Sequence, residues 1–321
     1  MQQPSVTVLI PCNSTEYLSE CLSSIEKQNY LQLEVLVILN GSAVDDLGIL
    51  RITYKNYRFP LEFVSTLTHG IVSALNLGIG HCKNEFIARM DSDDLMPDRR
   101  IGAQIAKFIS DPNLVCVGGQ LEYLNNDSVK LHPGYPSRDK DIRHAMYRYS
   151  PFPHPGVMFR KSAVQRAGLY REIYPYIEDW DLWVRLSDEG GLMNLSEPTV
   201  FHRLHNNQST TLFVRAQEES IRSLSLSVLQ KTMRGHKEPD IQRAGFFEPL
   251  SAFGLLLLPK LWKKSFTSSG LFGKRDLRRA LAGYVFIHSQ SIKSVLLHFL
   301  LRRVVVAIID PSLVLRKITR R

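Results

Sequence analysis

Apolar runs at residues 6–10, 33–39, 61–64 and 86–90 are short, β-branched or leucine-rich, and each gives way to polar turn residues. Between them lie stretches with helical spacing: 16–28, a weaker one at 45–52, and 70–81. Strands alternating with helices predict βαβ units. The expected fold class is therefore α/β, with a mostly parallel central sheet and helices on both faces. Because the runs are nearly all apolar, the strands should be buried on both sides. After Pro97 a helix is predicted over 100–109, ending at Asp111-Pro112. The second half predicts strands at 115–117, 157–159 and 199–205, and a helix over 178–188.

In open sheets of this kind, ligands bind beyond the carboxyl ends of the strands. That rule selects three turns: Pro11-Cys12-Asn13, Asn40-Gly41-Ser42 and Asp91-Ser92-Asp93-Asp94. In the last of these, Asp91 and Asp93 are two residues apart, so in an extended segment they point the same way and share one target. Their mutual repulsion is costly without a nearby cation. Hard oxygen ligands favour Mg²⁺ or Mn²⁺, ions that keep open positions for substrate phosphates. The alternative is that Asp93 or Asp94 caps the helix around Pro97.

A second acidic site stands at Glu178-Asp179-Trp180-Asp181-Leu182-Trp183. Acids in a first helical turn are favoured by the helix dipole alone. Their interleaving with two tryptophans adds another reading, since indole faces stack on sugar rings and a neighbouring carboxylate can act as general base.

In order, these segments resemble a family 2 glycosyltransferase of the GT-A fold. The matching pieces are Val6 through Pro11, Glu34 through Ser42, Gly70 through Ile79, Glu85 through Asp94, His154 through Phe159, Glu178 through Trp183, and Arg203-Leu204-His205 with Gln208-Ser209. The resemblance spans roughly residues 5 to 212. It implies that Asp91 touches the donor ribose or the metal, that Asp93 ligates the metal, and that His205 completes the metal site, with His202 as a competing candidate. It further implies that Asp179 is the catalytic base with Glu178 beside it. Pro11, Asn40 and Asn76 fall in donor-binding motifs, and Glu178, Trp180 and His154 are candidates for the acceptor side. The implied reaction is an inverting, metal-dependent transfer in cell-surface polysaccharide synthesis, without a glycosyl-enzyme intermediate. The donor would be a nucleotide-sugar, a UDP-sugar before others, and the acceptor a saccharide or lipid-linked saccharide. Two departures bear on the donor base. Leu39-Asn40 stands where the family commonly has two aspartates, and Pro11-Cys12-Asn13 lacks the aromatic that often stacks there.

Composition and charge divide the chain. Its 321 residues, 44% hydrophobic and 22% charged, suffice for a sizeable core and exclude a disordered or disulfide-stapled protein. The formal charge of +9 is unevenly placed: 14 cations face two acids from Ser251 onward, while residues 1–250 are slightly acidic. The reading is a catalytic domain over 1–212 and a basic helical region over 213–321. The tail's aliphatic runs are interrupted before the roughly 18 residues a spanning helix needs. They suit either an interfacial helix on an anionic membrane or an ordinary hairpin packed on the catalytic domain. Stacking aromatics are too few there for nucleic acid to be the partner. Cys12, Cys21, Cys82 and Cys116 form no C-x-x-C pair, and the start lacks a basic n-region, so reduced thiols and a cytoplasmic, peripheral location are expected.

Rival classes fare less well. A dehalogenase-like phosphotransferase would carry its D-x-D after the first strand, and a nucleotide-sugar pyrophosphorylase needs a glycine-rich loop there. A noncatalytic binding protein with a decayed donor site is the remaining alternative. Co-sedimentation with anionic vesicles tests the tail: the full chain is expected to pellet, and a chain ending at residue 250 to stay in solution. Pelleting of both would remove the tail from membrane attachment.

Overall fold

The strands are β1 (Val6–Cys12), β2 (Leu33–Leu39), β3 (Leu61–Ser65), β4 (Phe86–Arg89), β5 (Leu114–Leu124), β6 (Met158–Arg160) and β7 (Gly191–Arg203). A computed structural model describes residues 3–124, 134–147 and 149–204, with short stretches between 216 and 228. The chain divides into units Met1–Ile221 and Arg222–Arg321. The expected basic helical region, 213–321, lies outside the described residues apart from those short stretches.

The strands form one sheet in the order β3-β2-β1-β4-β6-β5-β7. Neighbours β3, β2, β1 and β4 are parallel, β6 runs antiparallel between β4 and β5, and β7 is parallel to β5. The chain builds outward from β1 to β2 and β3, then returns to place β4 on the other side of β1. That reversal makes the carboxyl ends of β1 and β4 the switch point where such sheets bind ligands.

Seven helices cover the sheet: α1 (Leu18–Glu26), α2 (Leu47–Thr53), α3 (Ile71–His81), α4 (Arg100–Ser110), α5 (Asp139–Ala145), α6 (Lys161–Arg166) and α7 (Glu178–Leu186) among the described residues. Alternation along β1 sorts them into two layers. Val6, Val8, Ile10 and Cys12 pack with Leu22 and Ile25 of α1 and Ile101, Ile105 and Phe108 of α4. Leu9, with Leu36 and Ile38, packs on the opposite side with Leu75 and Ile79 of α3 and Leu182, Trp183 and Leu186 of α7. All four cysteines are buried and free, and burial pushes the thiols of Cys12 and Cys82 up to about 11 and about 12.

Several boundaries differ from expectation. β1 continues through Pro11 to Cys12, paired with β2, so Pro11 is a buried strand residue and the turn proper begins at Asn13. β7 begins at Gly191, well before the expected 199, because β5 supplies a partner strand along its length. Helices α5 and α6, of seven and six residues, are too short for periodicity to reveal.

One glycine fixes the α3 layer. A Cβ on Gly78 would lie 2.2 Å from Cδ1 of Leu9, which is fully buried, and 3.1 Å from Cγ1 of Ile38. Gly78→Ala is expected to destabilise the fold by about 1–3 kcal/mol through overpacking, read from denaturant unfolding.

Candidate active site

The acidic turn after β4 is held by charge pairing on both sides. Asp91 Oδ1 lies 2.6 Å from Nη2 of Arg89, whose side chain is 2% exposed. Behind it, the Cys21 thiol donates to the Asp91 carbonyl at 3.3 Å. Burial pushes the Asp91 carboxyl up to about 6, with Arg89 pulling down and Asp93 and Asp94 pushing further up. Asp94 is fully buried and turned away, accepting the Arg203 N–H at 2.9 Å and meeting Nδ1 of His202 at 3.0 Å. Paired backbone bonds between Leu95 and Phe201, at 3.0 and 2.9 Å, complete the join. The acidic turn is thus fastened to the carboxyl end of β7.

The helix-capping alternative fails: α4 has Arg99 at its N-cap and no side-chain cap bond. Acidic oxygens of Asp91, Asp93 and Asp94 all lie within 4.8 Å of one another. An all-oxygen donor set of this size suits a hard divalent cation. With Asp94 occupied by β7, Asp91 and Asp93, both partly exposed, are the residues that fit an ion. His202, the competing ligand, is bound to Asp94 instead, while His205 lies outside the described residues.

At the switch point, Asn40 follows β2. Its Nδ2 donates to the Gly70 carbonyl at 3.2 Å, and its buried Oδ1 has no hydrogen-bond partner. Cys12 ends β1 close enough to Ser92 and Asp93 for both to act on its thiol. The turns selected from the sequence therefore do converge.

Asn76 belongs elsewhere. Its Nδ2 donates to the Tyr170 carbonyl at 2.9 Å and its Oδ1 accepts the Tyr170 N–H at 3.0 Å. Through these two bonds Asn76 positions the Tyr170 backbone. The Tyr170 hydroxyl in turn is 2.9 Å from Nε2 of His154, and burial holds that imidazole well below its ordinary value.

Helix α7 separates its acids by phase. Asp181 is buried and held by Arg171 Nε at 3.0 Å and Arg185 Nη2 at 2.8 Å. Arg185 also donates to the Leu169 carbonyl at 2.7 Å, tying down the segment that carries Tyr170. Trp180 is 2% exposed and its indole N–H donates to the Met146 carbonyl at 3.0 Å; Trp183 is fully buried against Phe152. Neither tryptophan is a sugar platform, because the three-residue spacing turns both inward.

Asp179 remains half-buried and accepts from the Ser150 hydroxyl at 2.8 Å. Burial pushes its carboxyl up, against the Ser150 bond, the Trp180 N–H and the charge of Arg89. Burial, then the charge of Asp179, pushes Glu178 up to about 7, and Arg89 and Asp91 act on it as well. The charge of Arg89 acts on Asp91, Glu178 and Asp179 alike, lowering each against burial. The pattern of apolar runs did not single out Arg89, Ser150 or Tyr170. An arginine ending an otherwise apolar buried strand was the available signal.

Arg89 is held from below. The α4 residue Arg100 donates to the carbonyls of Arg89 at 2.7 Å, Val157 at 2.9 Å and Pro155 at 2.9 Å, and Gln104 donates to those of Val117 and Gly156. Two of the Arg89 nitrogens, Nε and Nη1, are buried without a hydrogen-bond partner. Unmade bonds of this kind cost about 1–3 kcal/mol apiece. Asn76→Ala removes two bonds at the Tyr170 backbone and is expected to lower unfolding free energy by about 1–3 kcal/mol, measured by chemical denaturation.

Comparison with known proteins agrees with this geometry. The sequence profile of Glycosyl transferase family 2 matches residues 7–168. An uncharacterized glycosyltransferase of Haemophilus influenzae is 28% identical over 233 residues, covering 69% of this chain and 72% of the relative. The UDP-Gal:alpha-D-GlcNAc-diphosphoundecaprenol beta-1,3-galactosyltransferase of Escherichia coli is 30% identical over 182 residues, covering 54% of this chain and 63% of its own. Among solved structures, the mannosyltransferase PcManGT of Pyrobaculum calidifontis, in complex with GDP-Man and Mn²⁺, shares the fold with a TM-score of 0.51 at 19% identity, covering 97% of this chain and 82% of that one.

Proposed function

Because the chain belongs to Glycosyl transferase family 2 and is a glycosyltransferase of the GT-A fold, we propose that it performs an inverting, metal-assisted transfer from a nucleotide-sugar to a saccharide or lipid-linked acceptor. The observation that carries this reading is the cluster of Asp91, Asp93 and Asp94, whose oxygens lie within 4.8 Å of one another at the switch point, together with Glu178 and Asp179 in the first turn of α7. The Escherichia coli relative is named for a UDP-sugar donor and a diphosphoundecaprenol-linked acceptor, which supports a UDP-sugar and a lipid-linked saccharide here, in surface-polysaccharide synthesis. The Mn²⁺ complex of PcManGT supports a divalent ion.

Asp91 and Asp93 would hold Mn²⁺ or Mg²⁺. Bound there, such an ion supplies charge neutralisation for the departing diphosphate. Every other role falls to side chains of this chain. Asp179 accepts the proton of the acceptor hydroxyl as that oxygen attacks the anomeric carbon. Ser150 fixes the direction of its carboxylate. Glu178, pushed up to about 7 by burial and by the charge of Asp179, stands beside the base. His154, neutral and hydrogen-bonded to Tyr170, offers the acceptor a polar wall without competing charge. Asn40, with a buried unpartnered carbonyl oxygen, supports a donor contact at the turn after β2. The domain boundary at 212 and peripheral attachment through the basic tail at the cytoplasmic face belong to the same proposal. No helix among the described residues is long and apolar enough to cross a membrane.

A thermal-shift panel of UDP- and GDP-sugars, with Mn²⁺, with Mg²⁺ and with chelator, tests the reading. One donor should stabilise the protein only when metal is present. Asp93→Ala should abolish that stabilisation. Asp179→Asn should keep it while transfer falls by about 10²–10⁴-fold. Equal loss of donor stabilisation in the two variants would remove Asp179 from the role of base.

A further inference from the structure

We propose that Tyr149 and Tyr176 form the stacking platform for the acceptor saccharide, holding the pyranose ring whose hydroxyl Asp179 deprotonates. The inference rests on the proposed function and names the acceptor contacts of that same site.

Two chain segments meet at the base. The Ser150 hydroxyl donates to Asp179 at 2.8 Å, joining the stretch that follows α5 to the first turn of α7. Tyr149 immediately precedes Ser150, and its backbone N–H donates to the Ala145 carbonyl at 3.0 Å, which fixes it to the end of α5. Tyr176 stands three residues before Asp179, which keeps their Cα atoms within about 11 Å of each other. The two tyrosines are 44% and 36% exposed, and among the described residues no other tyrosine, phenylalanine or tryptophan is exposed. Both tryptophans of α7 are buried, so the exposed aromatic surface on the segments that carry Asp179 and Ser150 belongs to Tyr149 and Tyr176.

Tyr176 occupies a place that the backbone alone would give to another residue. Tyr174-Pro175-Tyr176-Ile177 is a turn closed by the Ile177 N–H on the Tyr174 carbonyl at 3.3 Å, with proline second and a left-handed residue third. Glycine or asparagine is the easy choice at that third position. Here a tyrosine holds φ at 66°, and Gln217 donates to its carbonyl at 3.3 Å. Strained positions of this kind gather at binding sites, where the placement of the side chain offsets the cost. Tyrosine suits a sugar: its ring covers the C–H face of a pyranose, its hydroxyl reaches the polar rim, and with two side-chain torsions it loses little freedom on binding. A saccharide stacked there is held beside a carboxylate that can take its proton.

Saturation-transfer NMR on the full chain tests the platform, with methyl β-glucopyranoside, methyl β-galactopyranoside and methyl β-N-acetylglucosaminide as probes. Ring C–H protons of at least one pyranoside should receive saturation, and its dissociation constant should rise about 3–10-fold in Tyr149→Ala and in Tyr176→Gly. Tyr176→Phe should bind as the parent does, because the ring face is kept. Thermal unfolding separates binding from folding: Tyr176→Gly should unfold no lower than the parent, since glycine accepts the positive φ without strain. The proposal is overturned by absent saturation in the parent, by unchanged affinity in either Tyr149→Ala or Tyr176→Gly, by lost affinity in Tyr176→Phe, or by early unfolding of Tyr176→Gly. Failure of the donor- and metal-dependent thermal shift would instead overturn the proposed transfer, and would leave the stacking result standing.

Discussion

Crowding like charges is the constraint around which this site is built. Two unit charges 4 Å apart interact by about 4 kcal/mol even at the effective dielectric of a protein surface, so acids gathered at one end of a sheet must each be answered. The fold answers them individually. Arg89 meets Asp91, His202 and the Arg203 amide meet Asp94, Arg171 and Arg185 meet Asp181, and Ser150 meets Asp179. Burial and the charge of Asp179 push the Glu178 carboxyl up to about 7. The buried acids Asp94 and Asp181 are each paired, while Asp91, Asp93 and Asp179 stay partly exposed.

The pairing depends on backbone held in place beneath it. Arg100 and Gln104 lie one turn apart on α4 and donate to carbonyls of β4, β5 and the stretch entering β6. A buried guanidinium satisfied by neutral carbonyls is expensive in desolvation, and burial pulls Arg100 down to about 9. Its benefit is rigidity: it pins an antiparallel insertion, β6, against the parallel strands that carry the acids. The same logic runs through Asn76 and Arg185, which clamp the Tyr170 segment from two different helices.

Much of this was legible in the sequence, and for physical reasons. Strands buried on both faces are nearly unbroken apolar runs, so β1, β2, β3 and β4 stood out, and the switch-point rule then selected the Asp91 turn. Asp179 was reached through motif resemblance, because nothing local separates it from Asp181 beyond a helical phase that only packing sets. The inward turn of Trp180 and the use of Asn76 on a distant backbone were hidden for the same reason: a polar or aromatic side chain does not announce whether its partner is solvent, ligand or chain. Arg89 is equally hidden, since a lone charge ending an apolar run declares no partner until the neighbouring strands are in place.

The four buried thiols carry a last consequence. Cys12 and Cys21 sit beneath the acidic turn, Cys82 closes α3, and Cys116 lies mid-sheet in β5, so they sample separate parts of the scaffold. Shielded and held in the protonated form, they are poor nucleophiles as long as the fold stays shut. The polypeptide therefore contains its own dispersed set of reporters, silent in the closed state, through which the breathing of each layer is chemically addressable without any engineered label.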